Sequence, residues 1–135
     1  MEQITSSTAY QGTGLSLVRR YQDEHLALDL RQGGAALLDA QPMILTRKEF
    51  ELLCLLAENA GEIVPRDVLL MKIWGYSREI RTRTLDVHIR RLRKKLGPYA
   101  DSYIETIFSV GYRFQRYREP RRFQGGLPQF LPATA

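Results

Sequence analysis

Arginine, threonine and histidine crowd one stretch of the sequence, Arg78 to Lys95, in a pattern suited to gripping phosphates and base edges. Eight basic residues (Arg78, Arg81, Arg83, Arg90, Arg91, Arg93, Lys94 and Lys95) stand there against two acids, Glu79 and Asp86. The stretch therefore holds +6 while the whole chain holds +5, so the other 117 residues sum to −1. Charge kept for solubility alone would not be so local. Arginine dominates, and its planar fork suits phosphate or guanine better than a lysine-rich solvated face would. Val87 lies among the cations, where it can touch a thymine methyl.

Other chemistry finds little support. His88 has no His, Cys or carboxylate at helical spacing beside it, so a phosphate contact or a packed flank is expected rather than a metal ligand or base. His25 reads as a surface residue, and Cys54, amid Leu53, Leu55 and Leu56, as a small buried hydrophobe. A single cysteine excludes an internal disulfide and a cysteine-cluster metal site. There is no phosphate-cradling glycine loop, paired-carboxylate spacing or nucleophile elbow, so no enzyme activity and no cofactor are expected.

Composition agrees with a binding role. A sequence pI near 9.6 favours anionic partners, nucleic acid first. No apolar run approaches the roughly 18 residues that span a bilayer, and Met1 to Gly14 lacks the basic start and apolar core of a signal peptide. A cytoplasmic location and no membrane partner are the expectation.

The cations need a scaffold, and periodicity supplies one. Within Thr82 to Leu96, the residues Leu85, Ile89, Leu92 and Leu96 fall on one helical stripe. Arg83, Val87, Arg90, Arg91 and Lys94 gather on roughly the opposite side. Asp86, four residues before Arg90, is placed to pair with it. Upstream, Thr46-Arg47-Lys48-Glu49 is a capping box opening a first helix that Asn59-Ala60-Gly61 ends. Ile63-Val64 suggests a brief strand. Pro65 opens a second helix, Arg66 to Trp74, stopped by Gly75.

Before these helices, the apolar runs LSLV, LALDL, AALLDA and PMILT are separated by charge or by turns at Gly33-Gly34 and Asp39 to Pro42. They predict an antiparallel meander of three or four strands. After the basic helix, Gly97-Pro98 is a sharp stop. The runs Tyr103 to Ile107 and Tyr112 to Arg116 then flank Phe108-Ser109-Val110-Gly111, a hairpin in which Gly111 is expected at positive φ. Residues 1–14 read as a linker, 15–117 as the domain and 118–135 as a basic, Pro- and Gly-containing tail expected to be mobile, with Tyr117 at its start.

Three helices, the third amphipathic and basic, then a hairpin, is the element order of a winged helix-turn-helix. The blocks LTRKEFELL, VLLMKIWGY, TRTLDVHIRRLRKKLG and IETIFSVGYRF, in this order and spacing, resemble the DNA-binding domain of OmpR/PhoB-type response regulators. The resemblance implies an α+β fold: an N-terminal four-stranded antiparallel sheet, three helices and a C-terminal hairpin wing. It implies a third helix in the major groove, with Arg83, Thr84, His88, Arg90, Arg91 and Arg93 at family positions near phosphates or bases. Val87 and Lys94, from their place on the basic side, complete that candidate set. Thr106, Tyr112 and Arg113 match wing positions. The loop Tyr76, Ser77, Arg78, Glu79, Ile80 and Arg81 matches the segment that contacts RNA polymerase in activators. Tandem binding of two copies to direct repeats is also implied.

Departures from the family pattern exist. Phe108 stands where relatives often have a wing arginine that reaches the minor groove, so Phe108 is left to wedge or to pack. Pro65 stands where relatives commonly have a serine cap. The receiver domain that usually precedes this module cannot fit in the residues before Leu15, so either a fragment of a longer regulator of the two-component phosphorelay type or a stand-alone form is expected, the fragment being favoured. The function expected is sequence-specific double-stranded DNA binding in transcription regulation. The alternative is a winged-helix protein-interaction module that does not bind DNA. RNA binding is disfavoured, since stacking aromatics on a sheet are not apparent.

Overall fold

The computed structural model describes residues 19–118 apart from Gln32. Strands β1 (Arg20–Gln22), β2 (Leu26–Asp29), β3 (Ala36–Leu38) and β4 (Gln41–Pro42) form an antiparallel sheet in sequence order. The expected meander is present. Its first described strand is Arg20–Gln22; the run Leu15 to Val18 lies outside the described residues, as do residues 1–14 and the tail beyond Arg118. Strand parity explains the burial: Leu26 and Leu28 are buried while the alternating Ala27 and Asp29 are half-buried. Asp39 and Ala40, at φ 49° and 65°, make the tight reversal from β3 into β4.

Helix α1 spans Arg47–Glu58 and its capping box has both halves: Glu49 N–H donates to Thr46 Oγ1 at 3.2 Å, and Thr46 N–H to Glu49 Oε1 at 3.0 Å. Strand β5 (Ile63–Pro65) leads directly into α2 (Arg66–Trp74), which ends on Gly75 at φ +75°, a conformation glycine adopts without strain. Helix α3 spans Thr84–Leu96. Its stripe of Leu85, Ile89, Leu92 and Leu96 is 0–1% exposed and enters the same core as Leu52, Leu53 and Leu56 of α1. Phe50 packs on that core only partly buried. Burying each Leu or Ile stabilises the fold by about 1.5–3 kcal/mol, so the stripe fixes which edge of α3 faces outward.

Glu49 does more than cap. It is 1% exposed and accepts a 2.6 Å hydrogen bond from Lys95 Nζ, so the start of α1 clamps the end of α3. Burial pushes this carboxyl up, but the bonds from Lys95 and the Thr46 N–H outweigh it and hold the group below the usual carboxylate range.

After α3 the chain differs from the sequence expectation. A 3₁₀ turn (Gly97–Tyr99) and a short α4 (Ala100–Tyr103) intervene before β6 (Ile104–Ile107) and β7 (Gly111–Phe114). Tyr103, read as the start of a strand, is a fully buried helical residue stacked on Phe114 at 5.5 Å. The β6–β7 hairpin gains β5 as a third strand, in the order β5-β7-β6. Gly111 is also corrected: the positive φ belongs to Ser109, at 65°, and not to Gly111. A Cβ at 111 would lie 2.0 Å from Val64 O, so glycine is required there by the close approach of β5.

Tyr117, expected at the start of a mobile tail, is docked. Its N–H donates to Asp23 Oδ2 at 3.2 Å and its ring meets the edge of His25 at 4.5 Å. Asp23 also accepts from the Tyr21 and Tyr103 hydroxyls and from the His25 and Leu26 amides. One carboxylate thus ties β1, β2, α4 and the chain leaving β7. His25 is correspondingly more than a surface residue: it stacks on Tyr99 at 4.2 Å and its Nδ1 lies 2.6 Å from Asp39 Oδ1.

Candidate nucleic-acid interface

The start of α3 is set by Thr82, whose hydroxyl accepts the Thr84 N–H at 3.1 Å and lies 2.7 Å from the Thr84 hydroxyl. The first helical bond runs from Val87 N–H to Arg83 O. From there Arg83, Arg90, Arg91 and Lys94 are exposed on the edge opposite the buried stripe, with Val87 half-buried among them. None of these four cationic side chains has a hydrogen bond or ion pair among the described residues. Arg90 and Lys94 sit four residues apart, and Arg91 and Lys94 three, so like charges face each other on the helix. Such pairs each cost about 0.2–0.5 kcal/mol, a cost that an external anion would reverse.

The remaining candidates of α3 and the wing are committed to one another. Arg93 Nη2 donates to Ile104 O at 3.0 Å and to Thr106 Oγ1 at 2.8 Å, and its guanidinium lies 5.9 Å from the Tyr112 ring centroid. Tyr112 is 6% exposed, and its hydroxyl donates to Asp86 Oδ1 at 3.1 Å. Asp86 pairs with Arg66 at 2.6 Å instead of with Arg90 as its spacing had suggested. The strong geometry of the Arg66 bond holds the Asp86 carboxyl below its ordinary range. Arg113, next along β7, points to the opposite face from Tyr112, where its Nε and Nη2 both donate to Glu105 Oε1 at 2.9 and 2.7 Å. Its charge is neutralised within the strand pair.

His88 donates from Nδ1 to Thr84 O at 2.8 Å and meets the Trp74 ring at 4.8 Å, so it is a flank packed between α2 and α3. Thr84 lies beside it, half-buried at the helix start. The wing tip is Phe108, 88% exposed, with Val110 at 45%. Phe108 therefore does not pack on its own domain. The α2–α3 loop presents Ser77, Arg78, Glu79, Ile80 and Arg81 on the surface, while Tyr76 packs partly against the core. Arg78 reaches back to Asp67 at 3.3 Å.

Arg66 is the contributor that sequence reasoning missed. A cation in the first turn of a helix opposes the helix dipole, and that anomaly was the available signal for a nearby carboxylate. Its partner lies 20 residues away, beyond the reach of local pattern. No group of His, Cys, Asp and Glu suited to a metal occurs among the described residues. Burial pushes the Cys54 thiol up to about 12, leaving it protonated and unreactive.

The sequence profile of "Transcriptional regulatory protein, C terminal" matches residues 40–114, more than half of the chain. The chain belongs to this family, the C-terminal domains of OmpR/PhoB-type regulators. It is 54% identical over 71 residues to the transcriptional regulatory protein HprR of Escherichia coli K12, covering 52% of this chain and 32% of HprR. It is 45% identical over 76 residues to the response regulator ArlR of Staphylococcus saprophyticus, covering 56% of this chain and 34% of ArlR. The chain thus spans about a third of the length of the curated relatives it matches. Among solved structures, the Klebsiella pneumoniae RstA DNA-binding domain in complex with the RstA box aligns with a TM-score of 0.65 and 31% identity, over 72% of this chain and 97% of that one. The winged-helix architecture is that of the OmpR/PhoB-type family, with the sheet, three long helices and hairpin in the expected order. No helix among the described residues is long and apolar enough to cross a membrane.

Proposed function

We propose that this chain binds duplex DNA sequence-specifically and is the output domain of a two-component response regulator. The observation that supports it most is the outward edge of α3: Arg83, Arg90, Arg91 and Lys94, all exposed and none satisfied by a carboxylate of its own fold. Phosphates supply the missing anions, and the affinity falls with salt at a log–log slope of about −0.9 per phosphate neutralised. Val87 and one or two of the arginines read base edges, each good bidentate contact giving about 1–3 kcal/mol of discrimination. The wing tip brings no charge, since Thr106 through Tyr112 contains no ionisable cation. Base reading therefore rests on α3 more than in relatives with a wing arginine.

A single such module buries only about 600–1,000 Å² of protein surface, so binding to one half-site is weak and two copies on direct repeats are the working form. The loop Tyr76 to Arg81, exposed from Ser77 onward, is the proposed contact for RNA polymerase, by family resemblance. The DNA reading and that of a protein-interaction module diverge in one experiment. Selection from random duplexes at two salt concentrations should return a repeated motif that is bound less tightly at the higher salt. Arg91→Ala should then weaken the selected site more than random duplex. Failure to enrich any duplex, at either salt, would leave the protein-interaction module as the better account.

A further inference from the structure

Among the described residues, the largest apolar side chain left in water is Phe108, at the turn between β6 and β7. It is 88% exposed, and Val110, two residues on, is 45% exposed. A lone exposed apolar residue needs no explanation, but this pair sits on a built support. The Arg66 N–H donates to Val110 O at 2.9 Å, and the Val110 N–H to Ile107 O at 3.0 Å. Ser109 between the two holds φ 65°, a value few residues other than glycine adopt. Strand β7 pairs with β6 on one side and with β5 on the other, as far as Gly111 opposite Pro65. The ring is therefore carried on a braced turn.

Charge decides what such a tip can approach. From Thr106 to Tyr112 there is no Asp, Glu, Lys, Arg or His. The tip is neither drawn to phosphates nor repelled by them, so it can pass between two rows of them at little electrostatic cost. Its root meets the helix of the unpaired cations, where Tyr112 donates to Asp86 at 3.1 Å. A major groove admits an α-helix, whereas the neighbouring minor groove, about 6 Å wide, admits a ring but no helix. Apolar side chains act there by entering between stacked bases, which unstacks a step and bends the duplex.

We infer that Phe108 is such a wedge: its ring opens one base step in the minor groove beside the α3 site, and the chain favours duplexes in which that step opens easily. This rests on the duplex-binding reading above. It adds to that reading a sensitivity to DNA deformability, with no base-edge contact from the wing. The steps that open most readily are the pyrimidine–purine ones, TA and CA/TG.

The test repeats the selection from random duplexes with the wild-type chain and with Phe108→Ala, a change at a position too exposed to unfold the domain. The wild type should enrich a TA or CA/TG step at one fixed distance from the motif read by α3. Phe108→Ala should return the same motif without the step, and Phe108→Leu, which keeps an apolar wedge, should retain it. On a duplex carrying one copy of the site, replacing that step with stiff AA should cost the wild type about tenfold in affinity and Phe108→Ala less than about twofold. 2-Aminopurine placed in the step should brighten when the wild type binds and stay quenched with Phe108→Ala. A motif enriched without any step preference, with 2-aminopurine quenched in the wild type, would overturn the inference and leave duplex binding standing. A loss in Phe108→Ala seen only when two copies bind would make the ring a contact between copies, and would also overturn it. Enrichment of no duplex at all would remove the duplex-binding reading and the wedge together.

Discussion

The charges of the N-terminal sheet and α1 contrast with those of the outward edge of α3. In the first region Arg19 holds Glu58, Arg31 holds Asp29, and Arg47 and Lys48 both reach Glu51. In the second, Arg83, Arg90, Arg91 and Lys94 hold nothing. Both regions are solvent-exposed, so exposure alone does not explain the difference. These four cations of the frame close local circuits with carboxylates of their own region. Those of the edge repel one another and await an anion from outside. The seam between α3 and the wing belongs with the frame, although its residues look in sequence like part of the edge.

The sharpest way to break this comparison is to reverse charge in each region. Arg90→Glu with Arg91→Glu should lower duplex affinity at least about thirtyfold, from two lost contacts of about 1–3 kcal/mol each. Its thermal midpoint should stay level or rise, because like-charge repulsion on α3 is relieved. Arg31→Gln, the counterpart in the frame, should leave affinity unchanged. Equal affinity losses in both would erase the distinction.

Glu49 tests the paired side more deeply, since its carboxylate is buried. Glu49→Gln should cost about 1–3 kcal/mol in chemical denaturation, by loosening both the α1 cap and the bond from Lys95. The sign of its pH dependence follows from the lowered pKa. The stabilisation is present above the usual carboxylate range and is lost as pH falls through the depressed value, so the variant should show a flatter decline in acid.

Phe108 sharpens the unpaired side. Phe108→Arg places a cation on the uncharged tip and should steepen the log–log salt slope by about 0.9 if the wing lies along the duplex. An unchanged slope would place the tip away from phosphate. The smallest effect belongs to His25, whose pKa is raised above 6.5 chiefly by its hydrogen bond to Asp39. That contribution is complete below 6.5 and fades as pH rises through the raised value, so Asp39→Asn should remove a shallow loss of stability on the alkaline side of 6.5. Histidine titration by NMR in both chains checks it directly.

Local signals in the sequence carried most of the fold. The capping box at Thr46, the break at Gly75 and the stripe from Leu85 to Leu96 need only a few neighbouring residues, and all three stand as expected. What failed was long-range. Asp86 chose Arg66 over its helical neighbour Arg90 because tertiary packing brought a better-placed guanidinium alongside. Tyr103 ends a short helix, and its hydroxyl is held by Asp23, 80 residues earlier, a partner that no local pattern reveals. Gly111 serves an approach by β5 that no turn rule encodes. On α3, the periodicity in the sequence put Arg83, Arg90, Arg91 and Lys94 on the exposed side of the helix, where they lie. It could not sort the arginines that face outward from the one that turns into the wing, since all share one composition and differ only in what lies across from them.

The most direct test of the central claim is the salt dependence of duplex binding by the wild-type chain and by single Gln variants of Arg83, Arg90, Arg91 and Arg31. Where an edge arginine neutralises a phosphate, its removal should make the slope shallower by about 0.9, while Arg31→Gln should leave it as in the wild type. A wild-type slope near zero, or one that none of the three edge variants changes, would contradict the claim that the unpaired edge of α3 exists to hold DNA.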